Sequence, residues 1–208
     1  MNIIKPYVEI LDALDGAAMI KKIELAGRVC YKSEDKITDG SAEKFVKAII
    51  RRGHESVLEH EKITVRFVCD RGVTHEIVRH RIASFSQESS RYCNYSPDGK
   101  MGGITFIKPC FWEEDSQEYK VWEQAMAQAE ASYNALLAMG AKPEEARDVL
   151  PNSLKTELVM TANLREWRHF FKLRCAKAAH PQMREVANML LTKLQAEVPV
   201  IFDGIIAE

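Results

Sequence analysis

No stretch of this 208-residue chain approaches the run of about 20 apolar residues that a membrane-spanning helix needs. Its amino terminus, MNIIKPYVEILDALDG, also lacks a basic segment ahead of a long apolar one, the mark of a secretory signal. Both absences point to the cytoplasm, with no membrane partner expected. Cysteine is scarce: Cys30, Cys69, Cys93, Cys110 and Cys175 are odd in number, widely spaced and contain no CxxC pair. That excludes a disulfide framework, a zinc ribbon and a redox dithiol, and the five read as reduced thiols. An excess of one charge is missing too. With 29 basic against 30 acidic residues, the chain is not a general nucleic-acid or membrane-surface binder, so any anion site is local. Finally, neither GxGxxG nor GxxxxGK[ST] occurs. If phosphates bind, side chains hold them rather than a glycine-rich loop.

What is present suits one α/β or α+β domain. The length and a 46% share of hydrophobic residues support a sizeable core, and no repeat, low-complexity tract or linker divides residues 1–208. Helical spacing predicts a first helix after Asp15-Gly16 with Met19, Ile20, Ile23 and Val29 inward. A second runs from about Ser41, with Phe45, Ile49 and Ile50 inward, to Gly53 as a left-handed cap. KITVRFVCDRG alternates Ile63, Val65, Phe67 and Cys69 with more polar residues, a strand pattern. Thr74 is expected to cap a short helix in which Glu76, Arg79, His80 and Ala83 share a ligand-accessible face, with Ile77, Val78 and Ile82 on the buried side. Residues beyond 84 read as loop as far as the turn-rich SPDGKMGG, before the strand candidate ITFIKP.

In the second half, Tyr119, Trp122, Met126, Ala129, Tyr133 and Leu136 mark a long amphipathic helix over residues 115–139, closed by Gly140. Pro143 starts a short helix bearing Arg147 and stopped by Pro151. LKTELVMTA is a strand. Asn163 with Glu166 resembles a capping box for a helix through Arg174, and Pro181 opens a last helix with Met183, Val186, Leu190 and Leu194 inward.

The chemistry concentrates in RHRIASFSQESSR, residues 79–91. Arginine suits phosphate because its planar fork makes two parallel charge-assisted hydrogen bonds and keeps its charge at neutral pH. The preceding THEIVRH is not an HExxH zinc motif, since Arg79 stands four residues after His75; no metal site is expected. A lone RHR is as easily a solvated charged face paired with Glu76 and Glu88. Here, however, RHR is followed after seven residues by Ser89, then Ser90 and Arg91. This arrangement resembles the RHR-x7-S signature of the flavin-dependent thymidylate synthases. GHESVLEH, EEARDVLP and TANLREWRHFFKLR extend the resemblance over nearly the whole chain, in family order.

The resemblance implies methylation of dUMP to dTMP, with 5,10-methylenetetrahydrofolate giving the one-carbon unit and NADPH-reduced FAD the hydride. It implies an α/β (α+β) fold with a central, largely antiparallel sheet, flanking helices and assembly as a homotetramer. Carried over by position, Arg79, His80 and Arg81 contact FAD, and Arg79 also reaches dUMP. Glu76, Ile77 and Val78 with Gln87, Glu88, Ser89, Ser90 and Arg91 form a dUMP-binding surface, Gln87 lying near the flavin as well. Arg147 is a further dUMP contact. Asn163, Leu164, Arg165 and His169 match an FAD-binding run, and Arg174 matches the residue that activates the pyrimidine. Ser56 either contacts FAD or caps a helix after Gly53. Glu76 and Gln87 depart from some members, which carry glutamine and glutamate there, and no role is carried over to His180.

Two other readings compete. A cysteine-nucleophile thymidylate synthase needs an activated thiol; Cys110, beside Phe111 and Trp112, lacks polar neighbours and reads as a buried or interface thiol. A noncatalytic phosphate-, nucleotide- or RNA-binding module would use the same arginines, but no aromatic RNA-binding sheet motif accompanies them. Helical geometry adds one expectation. At 100° per residue Arg165 and His169 lie about 40° apart, with Arg174 about half a turn from Arg165. One straight helix then serves two sites, and the active sites are shared between subunits.

Overall fold

The computed structural model describes residues 1–99 and 101–206; within SPDGKMGG, Lys100 lies outside the described residues. In chain order the elements are β1 (Asn2–Ile4), β2 (Tyr7–Ile10), α1 (Gly16–Val29), α2 (Ser41–Arg51), β3 (Lys62–Asp70), α3 (Arg71–Ile77) and β4 (Ala83–Gln87). There follow β5 (Thr105–Ile107), α4 (Gln117–Ala138), α5 (Pro143–Ala146), β6 (Lys155–Asn163), α6 (Leu164–Arg174), α7 (Pro181–Glu197) and α8 (Pro199–Phe202). The fold is thus mixed α/β. One sheet has the order β2-β3-β6-β4. β1 and β5 form a separate parallel pair, with Asn2 opposite Thr105 and Ile4 opposite Ile107. Among the described residues no helix is long and apolar enough to cross a membrane.

The chain gathers into two compact units, and β3, β4 and β6 each contribute residues to both. The first unit comprises residues 1–7, 67–79 and 86–158. Its core is built on α4, whose Tyr119, Trp122, Met126 and Tyr133 pack with Tyr95, Ile104, Phe106, Ala146 and Leu154. The spacing of those four residues puts them on one helical face. Ser116 caps the helix, its hydroxyl accepting from the Tyr119 amide at 3.1 Å, and Gly140 ends it at φ +94°, a conformation that suits glycine.

The second unit comprises residues 8–66, 80–85 and 159–206 of those described. Here α6 carries Trp167, Phe170 and Phe171, all fully buried and packed ring against ring. The Trp167 indole donates to the Ile63 carbonyl at 3.0 Å, satisfying the one polar atom that burying this side chain would otherwise strand. Gly53 ends α2 at φ +73°, and the following His54 amide returns to the Ile49 carbonyl at 2.9 Å.

The structure departs from the expected elements at several points. α3 starts at Arg71, because the Asp70 carboxylate takes the Val73 amide at 2.9 Å and caps the helix before Thr74 can. The helix therefore ends at Ile77, ahead of the RHR, and the expected shared face of Glu76, Arg79, His80 and Ala83 does not form as one helical face. His80 is buried, whereas Val78 and Ile82 are exposed. Residues 83–87, read as helix end and loop, form β4. In α1, Val29 is exposed while Glu24 is buried, its carboxylate taking Arg28 at 2.8 Å and the Ser41 hydroxyl at 2.7 Å. In α2 the buried positions are Ala42, Val46 and Ile49, with Phe45 and Ile50 half-buried. All five cysteines are thiols, and Cys110 is exposed rather than buried.

Candidate functional site

The polar side chains expected at the site fall into two clusters, one in each unit. In the first unit, α3 and the segment after β4 supply them. Gln87 is fixed by its amide, which donates to the Thr74 hydroxyl at 3.0 Å and to Thr156 at 3.4 Å. The Thr74 hydroxyl already donates to the Arg71 carbonyl at 2.9 Å, so it can only accept from residue 87, which an amide serves and a carboxylate does not. Glu88 is committed at both oxygens: Tyr95 donates to one at 2.6 Å and Lys155 to the other at 2.9 Å. Burial depresses the Lys155 ammonium, but its hydrogen bonds to Glu157 and Glu88 outweigh that and hold its pKa above the ordinary value. Burial, reinforced by Glu88, pushes the Tyr95 phenol well up. Both groups keep their protons at neutral pH.

Beyond Glu88 the chain turns. The Ser89 carbonyl accepts from the amides of Tyr92 and Cys93 at 3.2 and 2.9 Å, and the turn presents Ser90 to Arg147, whose Nη1 donates to the Ser90 hydroxyl at 3.3 Å. Arg147 follows α5, which Pro143 starts and the Glu145 carboxylate closes by accepting from the Lys142 amide at 2.8 Å. Arg91 is exposed and reaches Glu144 at 3.4 Å. Ser89, Ser90, Arg91 and Arg147 are thus brought together, and the length of the Arg147–Ser90 and Arg91–Glu144 contacts leaves the two guanidinium groups donor capacity for an anion. Ile77 is fully buried, so any ligand contact there runs through its backbone. Val78 and Arg79 are exposed and Glu76 half-buried at the end of α3.

In the second unit the RHR histidine is the centre. His80 Nδ1 lies 2.9 Å from a Glu166 carboxylate oxygen, and Arg174 Nε donates to His80 Nε2 at 3.1 Å. Phe170 and His169 face the ring at centroid distances of 5.0 and 5.7 Å. Burial is the main reason the His80 pKa is lowered; the bond to Glu166 opposes this and the Arg174 charge adds to it. The imidazole is neutral at pH 7. α6 delivers these partners because Asn163 caps it, accepting from the Glu166 amide at 2.8 Å. The Glu166 carboxylate does not complete the expected capping box with Asn163; it turns to His80.

Beside this cluster lies a cavity of about 480 Å³ lined by Glu55, Glu59, Ile82, Asn163, Arg165, Glu166, His169 and Lys172. Arg165 binds Glu59 at 2.6 Å and Arg168 binds Glu55 at 3.1 Å, so all three carboxylates lining the cavity have cationic or N–H partners. The lining fits the phosphate-bearing flavin expected from the sequence: Arg165 and Lys172 bring positive charge and Asn163 an amide. Leu164 is fully buried and can meet a ligand only through its backbone. Arg81 is exposed. Ser56 is exposed inside the short 3-10 turn Glu55–His60, and His54 holds the cap position, so the capping alternative for Ser56 fails. His80, Glu166 and His169 place donor atoms within 4.8 Å of one another. Both His80 nitrogens are hydrogen-bonded and a guanidinium stands on one, an arrangement made for proton bookkeeping rather than for a cation.

The sequence reading missed Glu55, Glu59, Glu166 and Lys172 around the cavity, and Tyr95 and Lys155 around Glu88. Glu166 alone carried a signal, three residues after a capping asparagine, but that signal named a different job. The geometric expectation for α6 is revised as well. His169 and Arg174 of one chain both meet His80, because a histidine beside the helix and a long arginine side chain bridge the angle between them.

Comparison with known proteins agrees with the sequence signature. A sequence profile of the thymidylate synthase complementing protein family matches residues 11–200. The chain is 36% identical over 185 residues to the flavin-dependent thymidylate synthase of Pyrococcus furiosus, covering 88% of this chain and 74% of that one. It is 36% identical over 187 residues to the enzyme of the same name from Geobacter sulfurreducens, covering 86% and 79%. Among solved structures, the UMP/dUMP methylase PolB from Streptomyces cacaoi, bound with 5-Br dUMP, superposes over 100% of both chains with a TM-score of 0.79 and 26% identity. With the profile spanning most of its length, the chain belongs to the flavin-dependent thymidylate synthase family.

Proposed function

We propose that the protein converts dUMP, 5,10-methylenetetrahydrofolate and NADPH with a proton into dTMP, tetrahydrofolate and NADP+. The observation that carries this reading is the contact between Arg174 and the RHR histidine. It fixes, on a neutral buried partner, a guanidinium able to stabilise negative charge that develops on the uracil ring as carbon 5 becomes nucleophilic. Arg174 does this without exchanging a proton. Ser90 and Arg147, with Arg79, Ser89 and Arg91, supply hydroxyl and guanidinium donors for the dUMP phosphate. Gln87 and the backbone of residues 76–78 complete that surface, and Glu88, neutralised by Lys155 and Tyr95, does not repel the anion. Arg165, His169, Asn163 and the Leu164 backbone hold FAD, with Ser56, His80 and Arg81. Bound FAD, once reduced by NADPH, supplies the hydride.

A homotetramer with active sites shared between subunits, which rests on the family resemblance and not on the angle between side chains of α6, and a cytoplasmic location belong to the same reading, the latter in keeping with five cysteine thiols. Purified protein is expected to absorb in the flavin bands, to release FAD on denaturation, and to form dTMP in step with tetrahydrofolate. Dihydrofolate appearing in step with dTMP without flavin points to the other thymidylate synthase chemistry. A colourless protein that takes up no FAD supports a noncatalytic nucleotide binder. Shared sites are tested by mixing Arg174→Ala and Arg165→Ala subunits under exchange: recovered activity supports them, and none at any ratio removes them.

A further inference from the structure

The His80 ring leaves little choice of protonation state. Arginine can only donate, so the Nε2 that receives Arg174 Nε at 3.1 Å must be bare. A neutral ring with bare Nε2 carries its proton on Nδ1, and the acceptor for that proton is Glu166 at 2.9 Å. The histidine and glutamate side chains are only 3% and 8% exposed, so water does not stand in for either partner, and a lost acceptor is not replaced cheaply. Glu166 is itself fixed twice over: its amide is held by Asn163 at 2.8 Å, while its carboxylate is turned away from the cap toward the ring.

We propose that Glu166 is a positioning residue for Arg174, acting through His80: its carboxylate selects the Nδ1–H tautomer, and the bare Nε2 then holds the guanidinium by Nε so that its terminal nitrogens are aimed. The proposal rests on the reading of Arg174 as the group that activates the pyrimidine, and it adds a residue which that reading did not contain. In the opposite tautomer Nε2–H faces an arginine N–H, donor against donor, and the guanidinium is driven off its position. An imidazolium does the same and adds like charge. Glu166, His169 and Arg174, all from α6, are the charged or titratable groups facing the ring, and Glu55 and Glu59 of the neighbouring turn line the cavity that Glu166 also lines. Arg174 and Glu166 both favour the Nδ1–H form, but of these groups only Glu166 accepts from the ring, and without it the buried Nδ1–H has no acceptor while the long arginine side chain can withdraw.

The test uses the FAD-loaded enzyme with nitrogen-15-labelled histidine, comparing wild type, Glu166→Gln and Glu166→Leu. Wild type is expected to show His80 as the Nδ1–H tautomer. Glu166→Leu should show a mixed or Nε2–H state, with kcat lowered about 100-fold, less than the roughly 10,000-fold loss when a triad histidine loses its orienting carboxylate because His80 here acts through Arg174, and with FAD content and KM for dUMP within about twofold. Glu166→Gln keeps an acceptor oxygen of nearly the same reach and should restore the Nδ1–H tautomer and most of the turnover. An Nδ1–H tautomer that persists in Glu166→Leu, or a kcat that stays at the wild-type value there, overturns the proposal. If Glu166→Leu does not fold, Glu166→Gln alone decides: Nδ1–H with most turnover retained supports the proposal, and an altered tautomer with full turnover sinks it. Arg174→Ala run in parallel separates the two claims. Full turnover in that variant refutes the role of Arg174, whereas the tautomer measurement reports on Glu166 whatever Arg174 does.

Discussion

Arg91 reaches Glu144 at 3.4 Å on exposed side chains and half-buried Arg147 reaches the buried Ser90 at 3.3 Å, whereas His80 holds Glu166 at 2.9 Å with both more than nine-tenths buried. The two clusters use similar residue types under opposite conditions. In the buried one, low local dielectric strengthens each bond and makes a missing partner costly, so geometry is set before any substrate arrives. In the other, water reaches the two arginines, and the contacts are long and individually weak. A dianionic phosphate can replace them with little loss. The first arrangement suits a group that must be aimed and the second a group that must be captured.

The largest effect is expected at Arg174. Arg174→Ala should lower kcat about 1,000-fold, the scale of removing a preorganised donor from developing charge, while FAD content stays close to wild type. Flavin loss with turnover per bound FAD unchanged would instead make this arginine a cofactor ligand and erase the distinction between the clusters. Next comes the capture side. Arg147→Ala should raise the KM for dUMP about 10- to 100-fold, as expected for one charged hydrogen bond, with kcat nearly unchanged. Steady-state kinetics over a range of dUMP concentrations decide it, and an equal fall in kcat and kcat/KM would place Arg147 among the aiming groups.

The buried cluster also predicts how stability depends on pH. The folded-state pKa of His80 lies below its ordinary value, chiefly through burial. The folded form therefore binds fewer protons than the unfolded form between the two values, and stability rises with pH across that window. His80 contributes fully above the unfolded pKa of about 6.5, and its contribution is lost as pH falls through the lower folded value. Melting temperatures from pH 8 to 5 should fall more steeply for wild type than for His80→Gln. Parallel curves would mean that the ring titrates as if exposed.

How much of this was legible in the sequence follows the same division between local and distant causes. The Asn163 cap, the Pro143 start and the Gly53 and Gly140 stops were read correctly, because each depends on residues within one helical turn. The α4 stripe was legible for the same reason. α3 was misplaced by four residues at its cap because Asp70, read as the end of a strand, caps the helix in place of Thr74, and that shift turned Val78 and Ile82 outward. β1 and β2 span only three and four residues, too short for alternation to show, and β4 hid behind its serine and glutamine content. The site was legible where the RHR-x7-S signature spoke and illegible where partners are remote. Glu166 meets His80 across 86 positions and Lys155 meets Glu88 across 67, and no local pattern encodes such pairings.

The smallest expected effect lies at Arg165, where the chain couples an exposed charge pair to its cavity. Arg165 and Glu59 are 2.6 Å apart and both roughly half exposed, so the pair contributes to stability no more than about 0.5 kcal/mol. Glu59→Ala should leave the melting temperature of the FAD-free protein within about 2 °C, the shift such an energy causes in a domain of this size. Its effect should appear in binding instead. With Glu59 gone, Arg165, proposed as an FAD ligand, no longer gives a donor to a carboxylate, and one negative charge leaves the cavity wall. FAD affinity, measured by fluorescence titration, should improve a few-fold at low salt. That gain should shrink at about 1 M salt, where the screening length falls to about 3 Å. A melting temperature lowered by many degrees would show the pair to be structural, and weaker FAD binding would show that Glu59 orients Arg165 as Glu166 is proposed to orient His80, bringing an exposed pair under the rule of the buried cluster.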